Sequence, residues 1–281
     1  MSTLVPTLFA GLVDDASLLP PSFISLPDAV AKHAEHREAW FARLLGPLLV
    51  PASVIGVELP AGELPVALVG DVPVSAVPAA VEKLRASGAL VHHVEAPVAR
   101  RGEDPQPGLA QLRALAGNDE DLEVYAEIPL SWGLLGALDT VAECRAAGLR
   151  IAPKFRVGGL AAELFPTPVE LAAVVCACRD RELPFRLAAG LRHAIRHTDP
   201  ETGFTHHGFL NVLVAAMLAG DGAEVADVAE VLAATHPVPL VEPARARQAG
   251  PRPLFVGFGS ASVVEPLTEL VRLGLINGGH Q

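Results

Sequence analysis

Eight short apolar runs, each parted from the next by a longer segment, constrain this chain of 281 residues more than any other feature. They are Leu8–Asp14, Pro47–Ala52, Pro65–Gly70, Ala89–Ala96, Leu122–Ile128, Arg150–Arg156, Phe185–Gly190 and Leu254–Ser260. Between them, apolar positions recur at the 3.6-residue helical period, as in Leu26–Leu45, Val74–Ser87, Leu135–Ala147, Pro168–Arg181 and Glu265–Leu273. Three helices stop at glycine, at Ser87-Gly88, Ala147-Gly148 and Leu273-Gly274. Strands alternating with helices build βαβ units around a parallel sheet. Eight such units favour a closed (β/α)8 TIM barrel over an open doubly wound sheet. No run is followed by GxGxxG, so no dinucleotide site is expected. The expectation is one α/β barrel domain over residues 1–281, with a helical insertion at 191–252, between the seventh and eighth strands and over the barrel mouth. That insertion reads as helices near Gly208–Leu218 and Glu224–Ala234 followed by a proline-rich loop, His236–Pro253, while Arg100–Pro107 reads as a polar loop.

Composition narrows the function classes. With 51% hydrophobic and 19% charged residues the chain can bury enough apolar surface to order itself. A net charge of -11 without any basic stripe excludes nucleic acid as a partner. No uncharged apolar run reaches the length of about 18 residues needed for a membrane span. The N-terminal apolar stretch breaks at Asp14-Asp15 and lacks a basic start, unlike a signal peptide. Cys144, Cys176 and Cys178 form no CxxC and read as buried helical thiols in a reducing, cytoplasmic setting. Of the 21 basic residues only Lys32, Lys83 and Lys154 are lysines.

Barrel enzymes work at the C-terminal face of the strands, so polar residues at strand ends are the candidates. They are Asp14 and Asp15 at the end of the first run, Asp71 after the third, His93 and Glu95 on the fourth, Tyr125 and Glu127 on the fifth. Lys154 and Arg156 follow on the sixth, Arg186 on the seventh, Gly259 and Ser260 on the eighth. Alternation in the sixth run puts Ile151 and Phe155 on one face and Ala152, Lys154 and Arg156 on the other, the inward one. The same period turns Glu127 and Tyr125, and His93 and Glu95, into the barrel.

A buried lysine is either a nucleophilic amine or half of an internal ion pair with Glu127 or Glu95. In the first case Glu127 and Glu95 handle protons, and Arg156 and Arg186 hold an anionic substrate. Gly158, Gly159, Gly190 and the Gly259-Ser260 end are either backbone anion donors or tight βα turns. His193 and Asn211 read as polar lining of the mouth. His193 and His197 have i, i+4 spacing but no HExxH, and carboxylates at Asp14, Asp15, Glu95 and Glu127 keep a metal site open as an alternative.

The order of these pieces resembles the class I aldolases of the deoxyribose-phosphate aldolase type. The resemblance rests on Ile151-Ala152-Pro153-Lys154-Phe155-Arg156-Val157-Gly158-Gly159, Arg186-Leu187-Ala188-Ala189-Gly190-Leu191-Arg192, and the Asp-bearing opening strand Leu12–Leu19. Tyr125-Ala126-Glu127 and Gly257–Ser262 are similar to the family's acidic fifth strand and phosphate-binding eighth strand. It implies a (β/α)8 barrel with Lys154 as the Schiff-base lysine. Two positions depart from the family: its second lysine is Arg186 here, and its fourth-strand aspartate falls at Glu95. The long insertion has no counterpart.

The resulting expectation is a Schiff-base, aldolase-like lyase acting on a small anionic, possibly phosphorylated, carbonyl metabolite. It needs no metal and no organic cofactor. A metal-dependent barrel enzyme, or a non-catalytic barrel binding a small anion, is the alternative. Self-association through the outer helices stays open.

Overall fold

The structure is a computed structural model in which residues 4–55 and 64–278 are described. The strands are β1 (Val13–Asp15), β2 (Leu45–Pro51), β3 (Pro65–Val69), β4 (Leu90–Pro97), β5 (Glu123–Glu127), β6 (Ile151–Arg156), β7 (Phe185–Ala188), β8 (His197–Thr198), β9 (Thr205–His206) and β10 (Phe255–Ser260). The helices are α1 (Leu26–Glu38), α2 (Val77–Ala86), α3 (Gln106–Asn118), α4 (Leu134–Ala146), α5 (Pro168–Arg179), α6 (Phe209–Gly220), α7 (Val225–Ala233), α8 (Val238–Ala246) and α9 (Val264–Arg272). Eight strands close in the order β1-β10-β7-β6-β5-β4-β3-β2, all parallel, and β8 and β9 form a separate antiparallel hairpin. This is the (β/α)8 TIM barrel expected from the alternating runs.

Each barrel strand sorts its side chains by pleat. Leu48 and Val50 on β2, Leu68 on β3, Val94 on β4, Phe155 on β6 and Phe185 on β7 are fully buried in the main core that the strands share with the helices. Each such side chain contributes about 1.5–3 kcal/mol when taken out of water. The intervening Leu49 and Ala67 form a small second cluster with Ala16, packed by Leu19 and Val69. The barrel interior is therefore apolar toward β2 and β3, and the charged side chains of β4–β7 gather with Asp14 of β1.

Three local expectations are corrected. The first strand is three residues long, because Thr7–Phe9 forms a 3-10 turn and Gly11 takes φ +59° before the chain can extend. The helix expected over Leu26–Leu45 ends at Glu38; Ala39 is extended and a second 3-10 turn, Ala42–Leu44, leads into β2. Pro47 lies inside that strand and keeps the preceding residue out of helical geometry. The loop expected at His236–Pro253 contains α8, whose early prolines suit a first helical turn and whose Leu240 and Ala244 are buried one turn apart.

The insertion is divided between two places. Helix α6 packs on α5 and β10 as a member of the outer layer, with Phe209 through Met217 buried, and α7 packs against α5 and α6. The β8–β9 hairpin reaches the loop after β7, where His206 Nδ1 lies 3.3 Å from Gly190 O. Among the described residues, no helix is long and apolar enough to cross a membrane.

Candidate active site

Phe155 points outward toward Phe185, ring centroids 6.2 Å apart, so Lys154 and Arg156 on either side of it turn into the barrel. Register then sets Glu127 of β5, Lys154 of β6 and Arg186 of β7 side by side. Lys154 Nζ lies 2.7 Å from Glu95 Oε2 and 3.1 Å from Glu127 Oε2. Arg156 Nε donates to the other oxygen of Glu127 at 3.1 Å. Arg186 donates to Asp14 Oδ2, and its Nε is 3.2 Å from Glu95 Oε1. His93 Nε2 lies 3.3 Å from Glu95 Oε1 and 4.0 Å from Asp14 Oδ2, close enough for charge attraction but without hydrogen-bond alignment. The Tyr125 ring meets His93 edge-on, centroids 5.1 Å apart, and the Arg186 guanidinium carbon stands 5.1 Å from the Tyr125 centroid. Gly46 of β2 makes the room Asp14 needs, since a Cβ there would collide with the Asp14 carboxylate.

Burial and pairing compete at every group. Burial pulls the Lys154 ammonium toward deprotonation, but Glu95 and Glu127 outweigh it and hold the pKa above its usual value. Burial pushes the Glu95 carboxyl up, yet Lys154, His93 and Arg186 keep it well below the usual range. Glu127 is likewise held low against burial by Lys154 and Arg156. Asp14 goes the other way: its burial wins over Arg186 and His93, and its pKa is raised. In the resting site Lys154 is thus an ammonium clamped between two carboxylates, and the ion-pair expectation for Lys154 is met.

Of the site residues read from sequence, Asp14, Glu95, Glu127, Lys154, Arg156 and Arg186 are brought together. The others are placed elsewhere. Asp15 turns outward to α1, where its carboxylate lies 3.2 Å from the buried His33 Nδ1. Gly158 and Gly190 pack backbone to backbone, since a Cβ on Gly158 would come within 2.9 Å of Gly190 Cα. Gly159 is covered by Leu164, and Gly259 by Leu49 and Ala16. Ser260 Oγ donates to Ser262 O at 2.8 Å within its own turn. A Cβ at any of these glycines would meet protein atoms, so close packing by itself accounts for glycine at each. Asn211 is spent on backbone groups, accepting from Arg196 N and donating to Val231 O and Ala234 O, each at 2.8 Å. His193 pairs with Glu269 of α9 at 2.6 Å, outside the barrel cluster.

Asp14, His93 and Glu95 also offer ligand atoms within 4.8 Å of one another, as a metal site would. The Arg186 guanidinium already joins both carboxylates. A divalent cation there would meet a fixed positive charge, so the donor set suits the guanidinium better than a metal.

A cleft of about 730 Å³ adjoins the cluster between the loops after β4, β5 and β6. Glu127 and Arg156 form its inner end; Arg101, Leu130, Ser131, Leu134, Leu164 and Phe165 contribute to its walls. Alternation along the strands already turns His93 and Tyr125 inward, although it does not reveal their partners. The wall residues come from three loops and the helices α4 and α5 that follow two of them, and carry no local signal.

No model of a known protein family matches this chain, and no curated protein matches it.

Proposed function

We propose that the protein is a Schiff-base lyase, or a closely related carbonyl enzyme, in which Lys154 adds to the carbonyl of a small anionic substrate. The observation that carries this reading is the chain of contacts from the cleft to the amine: Arg156 to Glu127 at 3.1 Å, and Glu127 to Lys154 at 3.1 Å. An anion arriving at the terminal nitrogens of Arg156 offsets the positive charge that Glu127 meets at Nε. Glu127 then feels one of the two cations that hold it deprotonated less strongly and becomes a better acceptor for the Lys154 proton.

The neutral amine attacks the carbonyl carbon, forming a C–N bond, and the proton shed by the nitrogen passes to the carbonyl oxygen. Glu127 returns its proton to the departing hydroxyl, water leaves, and an iminium joins Lys154 to the substrate. The iminium accepts the electron pair released when the adjacent C–C or C–H bond breaks. Glu95 and Arg186 keep the surrounding charge balanced, and Arg186 cannot move protons near neutral pH.

The test is exchange of the C3 hydrogens of 2-oxo acids in D2O, followed by NMR. Wild type accelerates exchange, and Lys154→Arg abolishes the acceleration while remaining folded by circular dichroism. Unchanged exchange in Lys154→Arg overturns the reading.

A further inference from the structure

We infer that the cleft beside Glu127 receives the apolar tail of its substrate, so that the ligand is an amphiphilic carboxylate and not a sugar phosphate. This deepens the proposed reading of the site and rests on it for the carbonyl chemistry, though not for binding. Three observations carry it. First, Leu130, Leu134, Leu164, Phe165, Pro166 and Val174 wall the cleft, and its volume of about 730 Å³ far exceeds the needs of a three-carbon acid. Such a volume suits a ligand with a ring or a chain of several carbons.

Second, the cleft has a directed polar end. Arg156 spends only Nε on Glu127, and among the described residues its terminal nitrogens have no hydrogen-bond partner. Its side chain is 46% exposed, which leaves the bidentate edge of the guanidinium available to a carboxylate. Of the other charged groups on the wall, Glu170 is tied to the Thr167 amide at 2.7 Å, Arg101 donates to Leu130 O at 3.0 Å, and Glu163 sits on the exposed turn before α5. Third, Ala16, Leu49 and Ala67 cluster on the β2–β3 side of the barrel with Leu19 and Val69 packed on them, so apolar side chains occupy that side. A ligand reaching Arg156 therefore extends into the Leu130–Phe165 cleft.

The probe is 4-phenylbutyrate, which has no ketone or aldehyde and cannot form a Schiff base, measured by calorimetry on the full chain. It is expected to bind at least about tenfold more tightly than butyrate or 4-phenylbutanol, a factor equal to about 1.4 kcal/mol for the ring or the charge. Arg156→Gln and the cleft-filling Ala173→Trp, on an exposed face of α5, are each expected to weaken it about tenfold. Inorganic phosphate is expected not to compete. Equal affinity for butyrate, or no effect of either variant in folded protein, overturns the inference. If 4-phenylbutyrate binds as described while Lys154 supports no hydrogen exchange, the Schiff-base reading fails and the cleft assignment stands. If exchange proceeds at Lys154 but 4-phenylbutyrate does not bind, the opposite holds.

Discussion

Glu127 meets Arg156 through one carboxylate oxygen, 3.1 Å from Nε, and turns its other oxygen to Lys154 Nζ at the same distance. One carboxylate therefore links a half-exposed cation at the cleft to a buried one. Anything that takes Arg156 away changes the charge felt by Lys154, and that coupling is the basis of the catalytic proposal.

The buried pairs make the site costly to dismantle one member at a time. Lys154→Met leaves Glu127 and Glu95 with one cation fewer in a buried setting, and is expected to lower unfolding stability by about 3 kcal/mol. Adding Glu127→Gln removes part of the unbalanced charge. The double variant is expected to recover about 1 kcal/mol relative to the sum of the single changes, read from urea unfolding of all four proteins.

Gly46 has a sharper prediction. Any Cβ there strikes the Asp14 carboxylate, which Arg186 holds in place. Gly46→Ala is expected to cost about 1–3 kcal/mol by overpacking, whereas Ala at Gly203, where nothing lies within 4 Å, pays only for its positive φ of +72°. Thermal unfolding of the two variants separates the effects.

How much of this was legible beforehand depends on the kind of contact. Alternation along β6 placed Lys154 and Arg156 on the inner face, because Phe155 between them needs an apolar neighbour such as Phe185. The barrel itself followed from eight repeats of one pattern. Asp15 misled because period two gives neighbouring aspartates opposite faces, and only the tertiary fold shows that His33 waits on the outer one. At Gly259 a glycine that makes room for Leu49 looks the same in a sequence as one that admits a ligand. The cleft was invisible, since its walls come from loops and helices far apart along the chain.

Stability should follow pH with two limbs. Glu95 and Glu127 are held below their ordinary value of 4.5, so their contribution is present above that pH and is lost as pH falls through their lower folded values. The raised Asp14 works against them on this limb, favouring the folded state when protonated. Lys154 is held above its ordinary 10.5, so its contribution is full below that pH and is lost as pH rises further. Denaturant midpoints across pH should show Lys154→Met losing part of the alkaline limb.

His207 supplies a separate acid-side effect. Its Nε2 donates to Pro166 O at 2.8 Å and its Nδ1 accepts from Arg196 at 3.2 Å, an arrangement that requires the neutral ring. Burial pushes its pKa down to about 4, from an ordinary 6.5. The folded state then binds fewer protons than the unfolded one, and stability falls as pH drops between those values. His207→Gln should flatten unfolding free energy over that interval, and an unchanged slope would remove His207 from the account.

The central claim is that Lys154 is the amine that joins the substrate carbonyl. Its most direct test is trapping with sodium borohydride in the presence of 4-phenyl-2-oxobutanoate, followed by peptide mass mapping. The account predicts one reduced adduct, on the peptide containing Lys154, suppressed by excess 4-phenylbutyrate and absent in Lys154→Arg. An adduct on Lys32 or Lys83 instead, or substrate turnover with no adduct on any lysine, would contradict it.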